Sequence, residues 1–249
     1  MLNNKKSFLL TIILLLVVSS TLVSAMTAEE IINSLEENEH YTSAYIEAEM
    51  HVVQGNRTRE MRLNSIGEGD NALVEFTHPP AERGTKFLKR GDTLYMYFPE
   101  AEDIVQASGH MLEDNMMGSD FSYQDMMEEN RLTDLYDFKL LEEEEIDGRE
   151  AYVLEGIKKE GAENVQYYRR KIWIDKERFI GLREELYAES GRLLKISWVE
   201  KVEEIDGRWF PMESVMEDQL RKDTETRFII NHIEFEPEIE EGTFSQESL

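Results

Sequence analysis

Hydrophobicity in this chain alternates with a period of two, and that pattern limits the fold more than any other feature. Ala44, Ile46, Ala48, Met50 and Val52 alternate with Tyr45, Glu47, Glu49, His51 and Val53. Successive strand side chains point to opposite faces, so this is a long strand with one apolar face. Gly55-Asn56 turns it back into residues 57–67, where Met61, Leu63 and Ser65 share a side. Further strand signals lie at 72–77, 85–89, 93–98 and 103–107, separated by Pro79-Pro80, Gly91-Asp92 and Pro99. The pattern resumes at Tyr136, with strands expected at 149–157, 165–174, 179–187, 192–203, 208–217 and 224–235. Asp147-Gly148 and Asp206-Gly207 are hairpin turns set in two similar segments, Glu145 to Arg149 and Glu204 to Arg208. Shared turn chemistry explains that similarity without a domain duplication.

The expected fold is therefore mainly β, with roughly eleven to thirteen antiparallel strands in chain order. A sheet of that length curls, and helices can cover its concave face. Two segments supply them. Residues 26–38 read as a helix capped by Thr27, with Glu30 at capping-box spacing and Ile31, Ile32 and Leu35 as an apolar stripe. Residues 110–130 break the strand pattern and hold five of the twelve methionines: Met111, Met116, Met117, Met126 and Met127. Gly118-Ser119-Asp120 divides this stretch into two short helical pieces, the second capped by Ser122 with Asp125 three residues later. No Pro- or Ser-rich linker interrupts the chain, so residues 26–249 are expected to form one domain.

Residues 1–25 read as a cleaved export signal. Lys5 and Lys6 precede an apolar run from Phe8 to Val18, and Val23-Ser24-Ala25 suits signal peptidase. The run is too short for a bilayer core that needs roughly 20 residues. With no cysteine to be acylated, the mature protein is expected to be soluble and periplasmic, and stabilised without disulfides. The net charge of −26 repels nucleic acid and anionic membranes. It suits solubility or a basic partner protein.

Catalytic constellations are missing from the sequence. His40, His51, His78, His110 and His232 are isolated, without metal-ligand spacing. There is neither a nucleophile elbow nor a phosphate loop. Glu142 to Glu145 form an acidic run, but alternate strand residues point apart, so a solvated edge is expected there. The chain is expected not to be an enzyme and to need no cofactor or metal. The methionine stretch admits two readings. Its flexible, polarisable side chains could line a lid over an apolar cavity, or they could be core contacts of a docked segment.

The order of motifs resembles the LolA-like outer-membrane lipoprotein-sorting proteins, in particular a longer group associated with RND-type (MMPL-like) transporters. The markers are Pro79-Pro80, Gly84-Thr85, Phe87-Leu88 and the run Gly91 to Pro99. They continue with Met117-Gly118-Ser119-Asp120-Phe121-Ser122-Tyr123-Gln124-Asp125-Met126, Trp173-Ile174-Asp175 and Trp209-Phe210-Pro211. The resemblance implies an incomplete, strongly curved β-barrel closed by helices. It also implies an apolar cavity for the acyl chains of a lipoprotein or lipid, carried between an inner-membrane exporter and an outer-membrane acceptor. Cavity or lid residues are then expected at Met50, Tyr95, Tyr97, Met111, Met116, Met117, Phe121, Tyr123, Met126, Trp173 and Trp198. One departure is local: such proteins often carry basic residues after the strand at 95–98, whereas this chain has the acidic segment Glu100 to Gln106.

Three readings follow: a monomeric acyl-chain carrier, a sensory or regulatory binding module on the same fold, and an exported hydrolase with a dispersed carboxylate pair. Co-purified lipid favours the first, and a stable transmembrane partner with little lipid transfer favours the second. Two close acids in a polar cleft favour the third.

Overall fold

The computed structural model describes residues 26–127 and 131–249. The export signal read at 1–25, and the last three positions of the methionine stretch, lie outside the described residues. Among the described residues, thirteen strands form one antiparallel sheet. The first meander is β1 (Ser43–Gln54), β2 (Arg57–Glu68), β3 (Asn71–His78), β4 (Lys86–Arg90), β5 (Thr93–Phe98) and β6 (Asp103–Ala107). The second is β7 (Tyr136–Ile146), β8 (Arg149–Lys158), β9 (Arg169–Asp175), β10 (Gly181–Tyr187), β11 (Leu193–Ile205), β12 (Arg208–Asp218) and β13 (Thr224–Phe235). The meanders join where β1 pairs with β13, leaving β6 and β7 as the two edges of an unclosed barrel. The strand beginning at Arg169 starts later than expected, because 159–168 runs as turn and extended loop.

Between β6 and β7 lie α2 (His110–Glu113), a 3-10 turn at Met116–Gly118, α3 (Tyr123–Met127) and α4 (Leu132–Leu135). Before β1 lies α1 (Ala28–Glu39), whose capping box forms as expected: Glu30 N–H donates to Thr27 Oγ1 (3.2 Å) and Thr27 N–H to Glu30 Oε2 (2.7 Å). The short α4 carries no sequence signal of its own. It rests on α1, where the Thr133 backbone N–H and the Arg131 guanidinium both donate to Glu36.

Strand register traces one face across the sheet, since residues paired across an antiparallel ladder share a side. Met96 pairs with Phe87, Phe87 with Val74, Phe76 with Leu63, Met61 with Met50 and Met50 with Phe228. The same face continues through Val52, Thr226, Met216, Ser197, Glu184, Ile172, Leu154 and Leu140. Its chemistry changes on the way. The β1–β6 half is apolar, and the middle of the β9–β13 half carries Arg170, Glu184, Lys195, Ser197 and Thr226.

Both halves are covered by helices. On the first, Met50, Met61, Phe76, Phe87, Leu94 and Met96 form a buried cluster with Met116 of the methionine segment. On the second, Ile31, Ile32 and Leu35 of α1 pack on Leu154, Ile172 and Ile174. Gly156 opposite Phe138 shows how tightly this half is fitted, because a Cβ there would stand 2.6 Å from the ring. Glu142 to Glu145 lie exposed on edge strand β7, as the alternation requires, with Glu143 bound to Lys176 and Glu144 to the Trp173 indole.

Candidate functional site

The methionine segment is fastened down by two carboxylates on short local turns. Met117 (φ 50°) and Gly118 (φ 75°) both take left-handed backbone, which reverses the chain sharply. Arg59 donates to the Met117 carbonyl, Gln54 to the Gly118 carbonyl and Arg221 to the Ser119 carbonyl. Asp120, fully buried, then accepts from Thr224 Oγ1 and Thr226 Oγ1, each at 2.6 Å, with Arg221 3.7 Å away.

Ser122 caps α3 as its spacing predicts. Asp125 N–H donates to Ser122 Oγ (3.1 Å) and Ser122 N–H donates to Asp125 Oδ2 (2.7 Å). Asp125 also accepts from the buried Lys195 ammonium and from Tyr167 Oη, both at 2.7 Å. The motif Gly118 to Asp125 is thus a clamp between segment and sheet.

That clamp decides where the expected cavity residues go. Met50 and Met116 are buried in the first-half cluster, and Met117, Phe121, Tyr123 and Met126 pack half-buried against it. They occupy much of that half, and an open cleft of about 910 Å³ remains beside Val52, Phe98, Met117 and Gly118. Met111 is 38 % exposed and stays outside the cluster. Tyr95 and Tyr97 pair with Leu88 and Lys86 on the opposite face of β4 and β5 from Phe87 and Met96. The Lys86 ammonium on that outer side reaches the Ser248 carbonyl near the C-terminus. Trp173 joins Ala151, Val153 and Ile180 in a separate cluster, with the Lys171 ammonium 4.5 Å from its ring centroid.

A second, more enclosed space lies elsewhere. A cavity of about 860 Å³ sits between α1 with α4 and strands β9–β12. Strand pairing explains it. In the register of β10 with β11, pairs run from Arg183 to Tyr187, and β12 pairs with β13 only over Glu213–Met216. Beyond those points the β11–β12 hairpin loses backbone pairing with β10 and β13, while Phe210 and Met212 still pack against Ala44 and Ile233. Trp198 borders this space, but its indole lies on the face of Arg183 and Val215, opposite Ser197 and Glu184, and donates to Glu200. Leu35, Leu132, Ile172, Leu182 and Val199 supply apolar wall, and Glu36, Glu39, Arg131, Arg170 and Glu184 supply charge.

Most of these charges are matched. Arg131 Nε lies 2.9 Å from Glu36 and Arg170 Nε lies 3.4 Å from Glu184, while the Arg170 guanidinium also stacks 4.7 Å from the Tyr136 ring centroid. Glu39 differs. It is exposed to the solvent that fills the hollow, within the hollow's walls. Enclosure by those walls, with the nearby Glu184 and Glu36 charges, pushes its carboxyl up to about 7 from an ordinary 4.5.

The folded state therefore disfavours ionised Glu39. The cost is absent below about pH 4.5, grows through the interval, and is complete above about 7. Glu39→Gln should leave the thermal midpoint unchanged at pH 4 and raise it by about 2–4 °C at pH 8. That is the effect of ~1 kcal/mol in a chain of this size, reduced from a dry-site value by solvent contact. Thermal melts at both pH values measure it, and an equal shift at each would refute the assignment.

None of Glu39, Arg131, Arg170 and Glu184 stood out in the sequence. A trace was present: Arg170 shares an alternation with Ile172 and Ile174, and Glu184 with Leu182 and Leu186, so charges occupy an otherwise apolar register.

Over residues 68–249 the chain matches the profile of a family described as uncharacterized protein-like. No curated protein sequence matches it. Among solved structures it is similar to a DUF1329 family protein from Desulfovibrio piger (TM-score 0.82, 23 % identity, 90 % of this chain and 100 % of the other). It is also similar to a domain assigned to outer membrane lipoprotein sorting from Vibrio parahaemolyticus (0.78, 22 %, 89 % and 98 %). A LolA superfamily protein from Nitrosomonas europaea is a third (0.75, 24 %, 90 % and 100 %). At these identities the likeness carries the fold, an unclosed LolA-type barrel with internal helices. The chain belongs to the family whose profile it matches over residues 68–249.

Proposed function

We propose that this protein is a periplasmic carrier that shelters the acyl chains of a lipoprotein or lipid, without covalent chemistry. The single observation behind this reading is the hollow of about 860 Å³ between α1 and β9–β12, with Leu35, Leu132, Ile172, Leu182 and Val199 on its wall. Its size falls within the range of small-molecule sites, roughly 300–1,000 Å³. A chain of about 14 to 16 carbons gains roughly 10 kcal/mol from burial at about 0.8 per methylene, and lost translational freedom offsets much of that. Exchange is then possible. Cargo enters through the open side of the hollow, because the methionine segment is clamped rather than hinged. An inner-membrane exporter and an outer-membrane acceptor would deliver and receive it. The signal read at 1–25 supports the periplasmic placement.

Val199 provides the test, since it borders the hollow and pairs with Ser214 on the inner face. Hexadecanoic acid should bind the purified protein in isothermal titration, and Val199→Trp should block that binding by filling the space. Native mass spectrometry of freshly purified protein should reveal bound lipid. Absence of both lipid and fatty-acid binding would sink the carrier reading.

A further inference from the structure

Neutral side-chain amides are scarce in this chain, and the fold collects them in one place. Of its residues 32 % are charged, and only six are glutamine. Three of those six, Gln106, Gln124 and Gln166, border a pocket of about 200 Å³ together with Asn164. The pocket lies at the seam where the barrel fails to close, between the end of edge strand β6, α3 and the loop at 159–168. Two of the amides are fixed. Gln124 Nε2 donates to the Asn164 carbonyl (3.3 Å), and Gln166 Oε1 accepts from Ser122 Oγ (2.9 Å). Their other halves, Gln124 Oε1 and Gln166 Nε2, have no partner among the described residues, nor do the side chains of Gln106 and Asn164. The site thus offers donors and acceptors together. Of its two carboxylates, Asp125 is bound to Lys195 and Tyr167, which leaves Asp92 as the unmatched charge among the described residues.

Such a set suits a ring whose hydroxyls each donate and accept, and whose C–H faces can rest on Leu112, Met127 and Leu135. The volume lies below the roughly 300–1,000 Å³ of drug-sized sites. It takes one ring rather than an acyl chain. We propose that this seam pocket binds a single neutral sugar unit, independently of the hollow. The source is a free sugar or the headgroup of a glycolipid, and the test separates the two.

Amide resonances of the isotope-labelled protein would be followed during titration with glucose, galactose, mannose and N-acetylglucosamine. At least one should bind with a Kd of about 1 mM or below and shift residues 106–109, 124–127 and 164–167. Gln106→Ala should weaken that binding about fivefold to tenfold, and Ser108→Trp should abolish it. Both positions are exposed, so the fold survives the changes. Gln219→Ala, at an exposed glutamine away from the pocket, should alter nothing. Octyl glucoside below its micelle-forming concentration binds more tightly than methyl glucoside if the source is a glycolipid, and equally if it is a free sugar. Glucosamine and glucuronate, cationic and anionic forms of one ring, should bind no more tightly than glucose. A preference for glucosamine that Asp92→Asn removes overturns the inference in favour of a cation at Asp92. An acetylated dipeptide amide that shifts these resonances where no sugar does overturns it in favour of a peptide. Silence from every compound overturns it outright and leaves the carrier reading standing.

Discussion

Asp125→Ala should lower the unfolding free energy by about 3–5 kcal/mol, the cost of stranding one member of a buried ion pair. The ammonium of Lys195 is 5 % exposed as a residue and has Asp125 Oδ2 at 2.7 Å. Removing the carboxylate also takes the acceptor from Tyr167 Oη and half of the Ser122 capping box. Lys195→Met combined with Asp125→Asn should recover most of the loss, because an apolar side chain no longer needs a counter-charge there. Denaturant midpoints at constant slope measure this. A single variant that unfolds within ~1 kcal/mol of the parent would mean that the pair is solvated in solution.

The second large effect belongs to Asp120. Its carboxylate is fully buried and receives both Thr224 and Thr226 hydroxyls, with Arg221 nearby. Asp120→Ala leaves those groups without their acceptor, at a cost of about 3 kcal/mol. The loss should be local as well as global. Hydrogen exchange is expected to accelerate over 116–127, which the clamp holds on the β1–β6 half, while α1 and β7–β9 keep their protection. Uniform acceleration through the molecule would instead place Asp120 in the common core.

Together these variants distinguish a clamped segment from a hinged lid. The sequence admitted both, since flexible methionines suit either use. Tertiary structure supports the clamped arrangement through partners that are distant in the chain. Asp120 meets Thr226, and Asp125 meets Lys195. No local pattern announces such pairings.

Much of the architecture was nevertheless written locally. Alternation located β1, β2, β5 and β6 almost to the residue, the Asp-Gly turns placed the β7–β8 and β11–β12 hairpins, and Thr27 and Ser122 capped the helices foreseen for them. These depend on neighbours in the chain, on period and on turn chemistry. The face of each strand was harder to assign. In β5, Leu94, Met96 and Phe98 alternate with Tyr95 and Tyr97, so both faces are apolar and period alone cannot tell inside from outside. The curl of the sheet made that choice, turning the methionine to the clamped segment and the tyrosines outward.

The hollow itself was decided only in three dimensions. It exists because strand pairing lapses around the β11–β12 hairpin, and because α1 brings Glu39 opposite Arg170 and Glu184, which are far away in the chain. Alternation records which residues share a side. Where two ladders part and leave room for a ligand depends on packing between segments that the sequence lists far apart.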